Sequence, residues 1–394
     1  MAMELSENVD RLLDEVRKAE DREKNQRNRA LWGRDSDAAH HQWDGRPQPD
    51  GPFPITIEPE APLWADVLGF RLDEFYTDPE EYLRRTLQMK LYRFHRWDEN
   101  TCIERDIPIW LGVTLEPSLF GVETVYQERA CPWISKERVI RGPEDLDELE
   151  KPDFHNSGLM PTAHRVYAGI RERLPDDFEV AFPNWERSPF GVCNHLRGTE
   201  NLLMDLVQDP DFARAQIDFV TECRKKWIRD RANFLDQEVG PGVLLNDEVN
   251  GRMFSPDLYE KFILPGEIEL GNFQGISYWH SCGDTTKFLE LIHRIPGLQT
   301  FHVSPWTDVE KAADKMGDLA LQVCLDPVRD VQRASNEHIE ERLESICRVC
   351  EGKAFTIRVD GIHTIDNLER ELEAVDNWLG IALRVRKRHW GSIR

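Results

Sequence analysis

The 394-residue chain has 73 acidic against 50 basic side chains, a net charge of −23, and is 40% hydrophobic. That balance supports a large α/β domain and excludes a nucleic-acid backbone as partner, which needs clustered Lys and Arg. No run reaches the roughly 18 apolar residues of a membrane span. Eight cysteines lie scattered without a disulfide framework, so reduced thiols and a cytoplasmic location are expected.

Residues 4–32 read as one charged helix with a thin apolar stripe at Leu5, Val9, Leu12, Leu13 and Val16. The charge throughout this segment argues against a secretory signal. The stretch WGRDSDAAHHQWDGRPQPDGPFPITIEPEAP is rich in Pro, Gly and Asp and reads as a loop, with His40 and His41 inside it. Residues 1–60 are therefore expected to form a helix and wrapping loop outside a main domain at 61–394.

From Leu63 onward, helical stretches such as DPEEYLRRTLQMKLYRFHRW and NEHIEERLESICRVCEG alternate with short apolar runs. Seven runs can be counted: IPIWLGVTL, FEVAFPNW, PGVLLNDE, GISYWHSC, LQTFHVSP, LALQVCLD and AFTIRVDG. An eighth is expected in the first half. Such repetition gives a parallel sheet, because each crossover helix returns the chain to the same edge. Eight units favour a (β/α)8 TIM barrel with an N-terminal helical extension. No G-x-G-x-x-G follows a strand, so a dinucleotide-binding sheet has no fingerprint.

A barrel builds its site at the C-terminal strand ends. Those ends carry Asn184-Trp185-Glu186-Arg187, Asn246-Asp247-Glu248, His280-Ser281-Cys282, His302, Cys324 with Asp326, and Arg358-Asp360 followed by His363. His280 and Cys282 stand at i and i+2 of an extended segment and point the same way, so both can face one metal. Asp247 is a candidate substrate hydrogen-bond acceptor or general base; a solvated acid capping the SPDLYEKF helix is the alternative. His302 is a second catalytic candidate. Arg358 and His363 are candidates to hold an anionic substrate group, with Asn184, Trp185, Glu248 and Asp360 as further substrate contacts. Asp284 reads as a helix cap.

Five phrases in order, GVETVYQERACPWISKERVIRGPEDLDELEKPDF, HLRGTENLLMDLVQDPDF, LLNDEVNGRMFSPDLYEKFILP, YWHSCGDTTKFLELI and VCLDPV, resemble the uroporphyrinogen decarboxylase superfamily over about residues 60–385. The resemblance implies a (β/α)8 barrel with its pocket at the strand C-termini. The superfamily includes zinc-dependent methyltransferases that serve corrinoid proteins and thiols, with His-x-Cys at the fifth strand and a further Cys at the eighth. True porphyrinogen decarboxylases carry R-x-P-x-W-x-M-R-Q-A-G-R near the N-terminus, and this chain has nothing like it.

His280-x-Cys282 matches the methyltransferase pattern, but the eighth segment, FTIRVDGIH, offers Asp360 and no Cys. Two routes to a third ligand are open, Cys324 from the seventh strand or Asp360, and Cys324 is preferred because zinc accepts a second sulfur readily. The function expected is zinc-dependent methyl transfer between a corrinoid or similar donor and a thiol. There is no D-x-H-x-x-G module, so a corrinoid would arrive on a partner protein. The alternatives are a metal-free decarboxylase or lyase acting on a small carboxylated substrate, and a non-catalytic binding subunit.

Overall fold

The structure is a computed structural model and describes residues 5–33, 47–49 and 51–391; His40 and His41 lie outside the described residues. Eight parallel strands form its centre: β1 Ile55–Pro59, β2 Asp106–Pro108, β3 Glu179–Ala181, β4 Gly242–Leu245, β5 Ile276–His280, β6 Thr300–Val303, β7 Ala320–Leu325 and β8 Phe355–Ile362. Six of them make one sheet in the order β1-β8-β7-β6-β5-β4, and β2 pairs with β3. A single bridge from Arg187 to Leu245 joins the two groups beyond β3. The result is a parallel half-barrel with a two-stranded ribbon carried alongside it.

The seven apolar runs supply β2 to β8. The missing strand is β1, and it lies in the segment read as loop. Proline and glycine flank Ile55–Pro59, but its residues Ile55, Thr56 and Ile57 are buried and pair with β8 from Ile357 onward. Residues 55–59 thus belong to the sheet, inside the stretch assigned to a wrapping segment.

No ladder joins β1 to β2 among the described residues. Side chains stitch that seam instead. Asn100 accepts the Ile55 amide at 2.9 Å and the Arg386 guanidinium at 2.6 Å on one oxygen, and donates to Asn28 Oδ1 at 3.0 Å. Asn25 pairs with both backbone groups of Ile103, at 2.8 and 2.9 Å. Asn25, Asn28 and Asn100 are all buried, so each amide satisfies backbone groups that a neighbouring strand would otherwise satisfy.

The expected single N-terminal helix is two, Val9–Glu20 and Glu23–Leu31, broken at Asp21-Arg22. The first buries Val9, Leu12, Leu13, Val16 and Ala19 and packs on the helix Pro79–Arg96. The second brings in the two asparagines. The segment is therefore integral to the core. Elsewhere the helix starts follow local chemistry: Asp78, Asp209 and Ser255 accept from the first turn, each with proline next in line. No helix of the described residues is long and apolar enough to cross a membrane.

Candidate functional site

Side-chain parity within the strands sets up the site. Tyr278 and His280 on β5, Gln322 and Cys324 on β7, and Arg358 and Asp360 on β8 are i, i+2 pairs on inward-facing positions. Beyond β5 the chain continues to Cys282 in the loop. Beyond β4 it turns back, with the Val249 amide on the Asn246 carbonyl at 2.9 Å, and swings Asp247 over the sheet end.

These two loops are locked together. Ser281 Oγ donates to the Val249 carbonyl at 2.8 Å and accepts from the Gly283 amide at 2.9 Å. A Cβ at position 283 would stand 2.9 Å from that same carbonyl, so the glycine is required by close backbone approach.

Asp247, His280 and Cys282 converge as a result. Their donor atoms lie within 4.8 Å of one another. His280 Nε2 is 3.2 Å from Asp247 Oδ1 and 3.3 Å from Cys282 Sγ. The Cys282 amide donates to the same Asp247 oxygen at 3.3 Å. A tetrahedral zinc ion holds neighbouring N, O and S ligands roughly 3.3–3.6 Å apart. The three donor types, and the two spacings from His280 Nε2, fit such an ion.

A cavity of about 1430 Å³ runs beneath this group, with Glu58, Glu60, Asn184, Glu186, Arg187, Tyr278, His280, Arg358 and Asp360 in its wall. Two of its cations are paired with acids close to the converging donors. Arg187 forms a close ion pair with Glu248 and stands 3.9 Å from Asp247, while Arg358 bonds Asp360 at 3.0 Å. Burial would lower the Asp247 and Arg187 charges' stability, but the opposing charges win: His280 and Arg187 hold the Asp247 pKa low, and Glu248 and Asp247 hold that of Arg187 high. Cys282 keeps solvent contact at the mouth, yet desolvation by its surroundings and the Asp247 carboxylate push its thiol pKa up.

His302 is buried and its ring lies over His280, with centroids 4.0 Å apart. Its Nδ1 faces the Ser281 carbonyl at 3.0 Å, so that nitrogen carries the proton. Burial, then the neighbouring His280 and Arg358 charges, hold its pKa well down and keep the ring neutral.

The other sequence candidates divide. Cys324 is buried, with its sulfur 3.8 Å from the Leu325 carbonyl, and is not one of the three converging donors. Trp185 turns away from the cavity into the core and donates its indole N–H to the Arg187 carbonyl at 3.0 Å. Glu248 is engaged by Arg187, with His195 Nε2 at 3.3 Å, and does not line the cavity. His363 is exposed and folds back on the Gly361 carbonyl at 2.8 Å. Asn184 and Asp360 do line the cavity.

Sequence reasoning missed three participants. Glu116 accepts the amides of Glu186 and Arg187 at 2.9 and 3.0 Å; its own four-residue helix gives no local sign of that role. Tyr278 and Gln322 could have been found by parity, two residues before His280 and Cys324. Burial, then the Glu116 charge, raises the Glu186 pKa to about 7.

A second buried carboxyl, Glu267, lies behind β5 and accepts from Tyr259 Oη at 2.5 Å and Trp279 Nε1 at 3.3 Å. Burial raises its pKa to about 7. The folded state holds this proton more tightly than the unfolded chain, so the stability it supports is complete below about pH 4.5 and falls as pH rises through 7. Glu267→Gln is expected to stabilise the protein at pH 8 by up to about 3 kcal/mol and to be near neutral at pH 4.5. Urea unfolding at the two pH values decides it, and an equal effect at both would sink the prediction.

This α/β architecture, with its donor groups gathered at the strand C-termini, is that of a barrel-type enzyme. The chain belongs to the uroporphyrinogen decarboxylase (URO-D) family, whose model matches residues 67–358. Among solved structures, a methyltransferase from Methanosarcina mazei is similar over 93% of this chain and 98% of its own, with a TM-score of 0.64 and 14% identity. At that identity the likeness is one of fold. No curated protein matches the chain.

Proposed function

We propose that this enzyme is a zinc-dependent methyltransferase that moves a methyl group between a corrinoid or similar donor and a thiol. The convergence of Asp247, His280 and Cys282 carries the reading. Three protein ligands of mixed O, N and S character leave a fourth position for substrate, as catalytic zinc sites do. Bound there, zinc would lower the pKa of an incoming thiol and supply a thiolate near neutral pH.

The protein's own part is orientation. Cys282 is fixed to Asp247 through its amide. Asp247 is held from behind by Arg187, and the His280 ring is backed by His302. The resemblance to corrinoid-dependent enzymes supports a corrinoid protein as the donor's carrier. The competing reading, a metal-free decarboxylase, needs a cation to hold the substrate carboxylate; of the wall's cations, Arg187 and Arg358 are committed to acids of the chain, which leaves Arg171 and Arg231 for that part.

The test is metal content and turnover on the intact protein. About one equivalent of zinc per chain is expected after purification, with zinc-dependent demethylation of methylcobalamin by a small thiol, followed through the cobalamin spectrum. Failure to bind zinc at any concentration would overturn the proposal.

A further inference from the structure

The zinc ligand His280 is addressed from below by a chain of hydrogen bonds with only one possible direction. We propose that Arg358, Gln322 and Tyr278 form a directional relay that keeps a proton on His280 Nδ1 and so presents the Nε2 lone pair to the metal. The inference rests on the metal reading above for its purpose, but the direction of the relay follows from the chain alone.

The argument starts at Arg358 on β8. A guanidinium donates and cannot accept. Arg358 Nη1 lies 3.4 Å from Gln322 Oε1 on β7, so the amide atom facing it must be the oxygen. The same oxygen is 2.6 Å from Tyr278 Oη on β5. A carbonyl oxygen only accepts, so the tyrosine gives it its one proton. Tyr278 Oη is then left with lone pairs toward His280 Nδ1 at 3.3 Å, and that contact is satisfied only if Nδ1 carries the hydrogen.

The opposite nitrogen, Nε2, meets Asp247 Oδ1 and Cys282 Sγ. With Nδ1 protonated, Nε2 is the ring nitrogen that faces the Asp247 carboxylate at 3.2 Å, a contact that a second ring proton satisfies in the metal-free chain and that a bound cation would satisfy in its place. The relay thus leaves Nε2, beside Asp247 and Cys282, as the nitrogen open to a metal.

Arg358 keeps its protons: burial would lower its pKa, but the Asp360 and Glu58 charges outweigh it and raise it. Arg358, Gln322 and Tyr278 are all buried. Three strands thus contribute one residue each to the orientation of a single ring. These are positioning residues, since none of the three is among the converging donors.

Zinc affinity, measured by competition with a chromogenic chelator, tests the relay. Tyr278→Phe is expected to weaken zinc binding about 10–100-fold, the usual effect of losing a partner behind a metal-bound imidazole. Gln322→Leu should weaken it by a similar factor, because the freed hydroxyl can then donate to Nδ1 and displace its proton. Gln322→Glu should hold wild-type affinity within about threefold, since a carboxylate beside Arg358 still only accepts.

A purely structural role would make the buried glutamate at least as damaging as leucine. Tyr278→Phe at wild-type affinity, or Gln322→Glu as weak as Gln322→Leu, overturns the relay. If the wild type binds no zinc, the functional proposal falls separately. The relay is then read from the imidazole 15N shifts of His280 in the metal-free chain: a protonated Nδ1 supports it, and an unprotonated Nδ1 beside a protonated Nε2 overturns it.

Discussion

On the proposed zinc reading, Asp247→Ala should abolish metal binding, whereas Cys324→Ser should retain it. Asp247 supplies an oxygen 3.2 Å from His280 Nε2 and receives the Cys282 amide, so its removal takes away one donor and loosens a second. The loss should exceed the roughly 10–100-fold that follows removal of a merely supporting partner. Cys324 faces inward but stands outside the converging group, and burial followed by the Asp360 charge pushes its thiol pKa up. Serine there removes one buried sulfur and no ligand. Zinc content of the two variants after gel filtration decides the matter. Full zinc in Asp247→Ala beside loss in Cys324→Ser would return the third ligand to the seventh strand.

The largest effect on stability is expected at the seam. Asn100→Leu should destabilise the protein by about 3–5 kcal/mol. Leucine nearly matches the volume but leaves the Ile55 amide unpaired, takes an acceptor from the buried Arg386, and strips Asn28 of its donor. Burial already lowers the Arg386 pKa to about 10, so its charge depends on the oxygens it touches. Equilibrium unfolding in urea measures the change. A cost below about 1 kcal/mol would mean that apolar packing, and not the asparagine network, holds β1 against its neighbours.

How much of this was legible in the sequence depended on the range of the causes. Seven strands announced themselves because buried parallel strands are short apolar runs between helices. β1 did not, because its partner β8 lies some 300 residues away and its own neighbours are prolines and glycines. The break at Asp21-Arg22 was invisible for a related reason: both sides of it are good helix formers, and the second helix is held by asparagines that bond to a distant loop.

The site divided in the same way. His280 and Cys282 followed from a period of two. Asp247 was read as a substrate hydrogen-bond acceptor or base, and its convergence with His280 and Cys282 depends on a turn after β4 that the sequence did not reveal. Cys324 was chosen on the affinity of zinc for sulfur, which says nothing about reach. Trp185 was placed in the pocket by its position at a strand end, yet its indole finds a carbonyl partner in the core.

The pairing of Ile55 with Ile357 also has a consequence for birth on the ribosome. At about 5–20 residues per second, roughly 15–60 s separate the emergence of the first strand from that of its partner. Through that interval β1 has no neighbour for one edge, and Asn100 waits longer still for Arg386, eight residues from the end of the chain. The N-terminal helices precede the Pro79–Arg96 helix and the first of them can pack on it as soon as it forms. The nascent enzyme thus spends most of its synthesis without the β1–β8 pairing, and its last helix brings the cation that Asn100 holds at the seam.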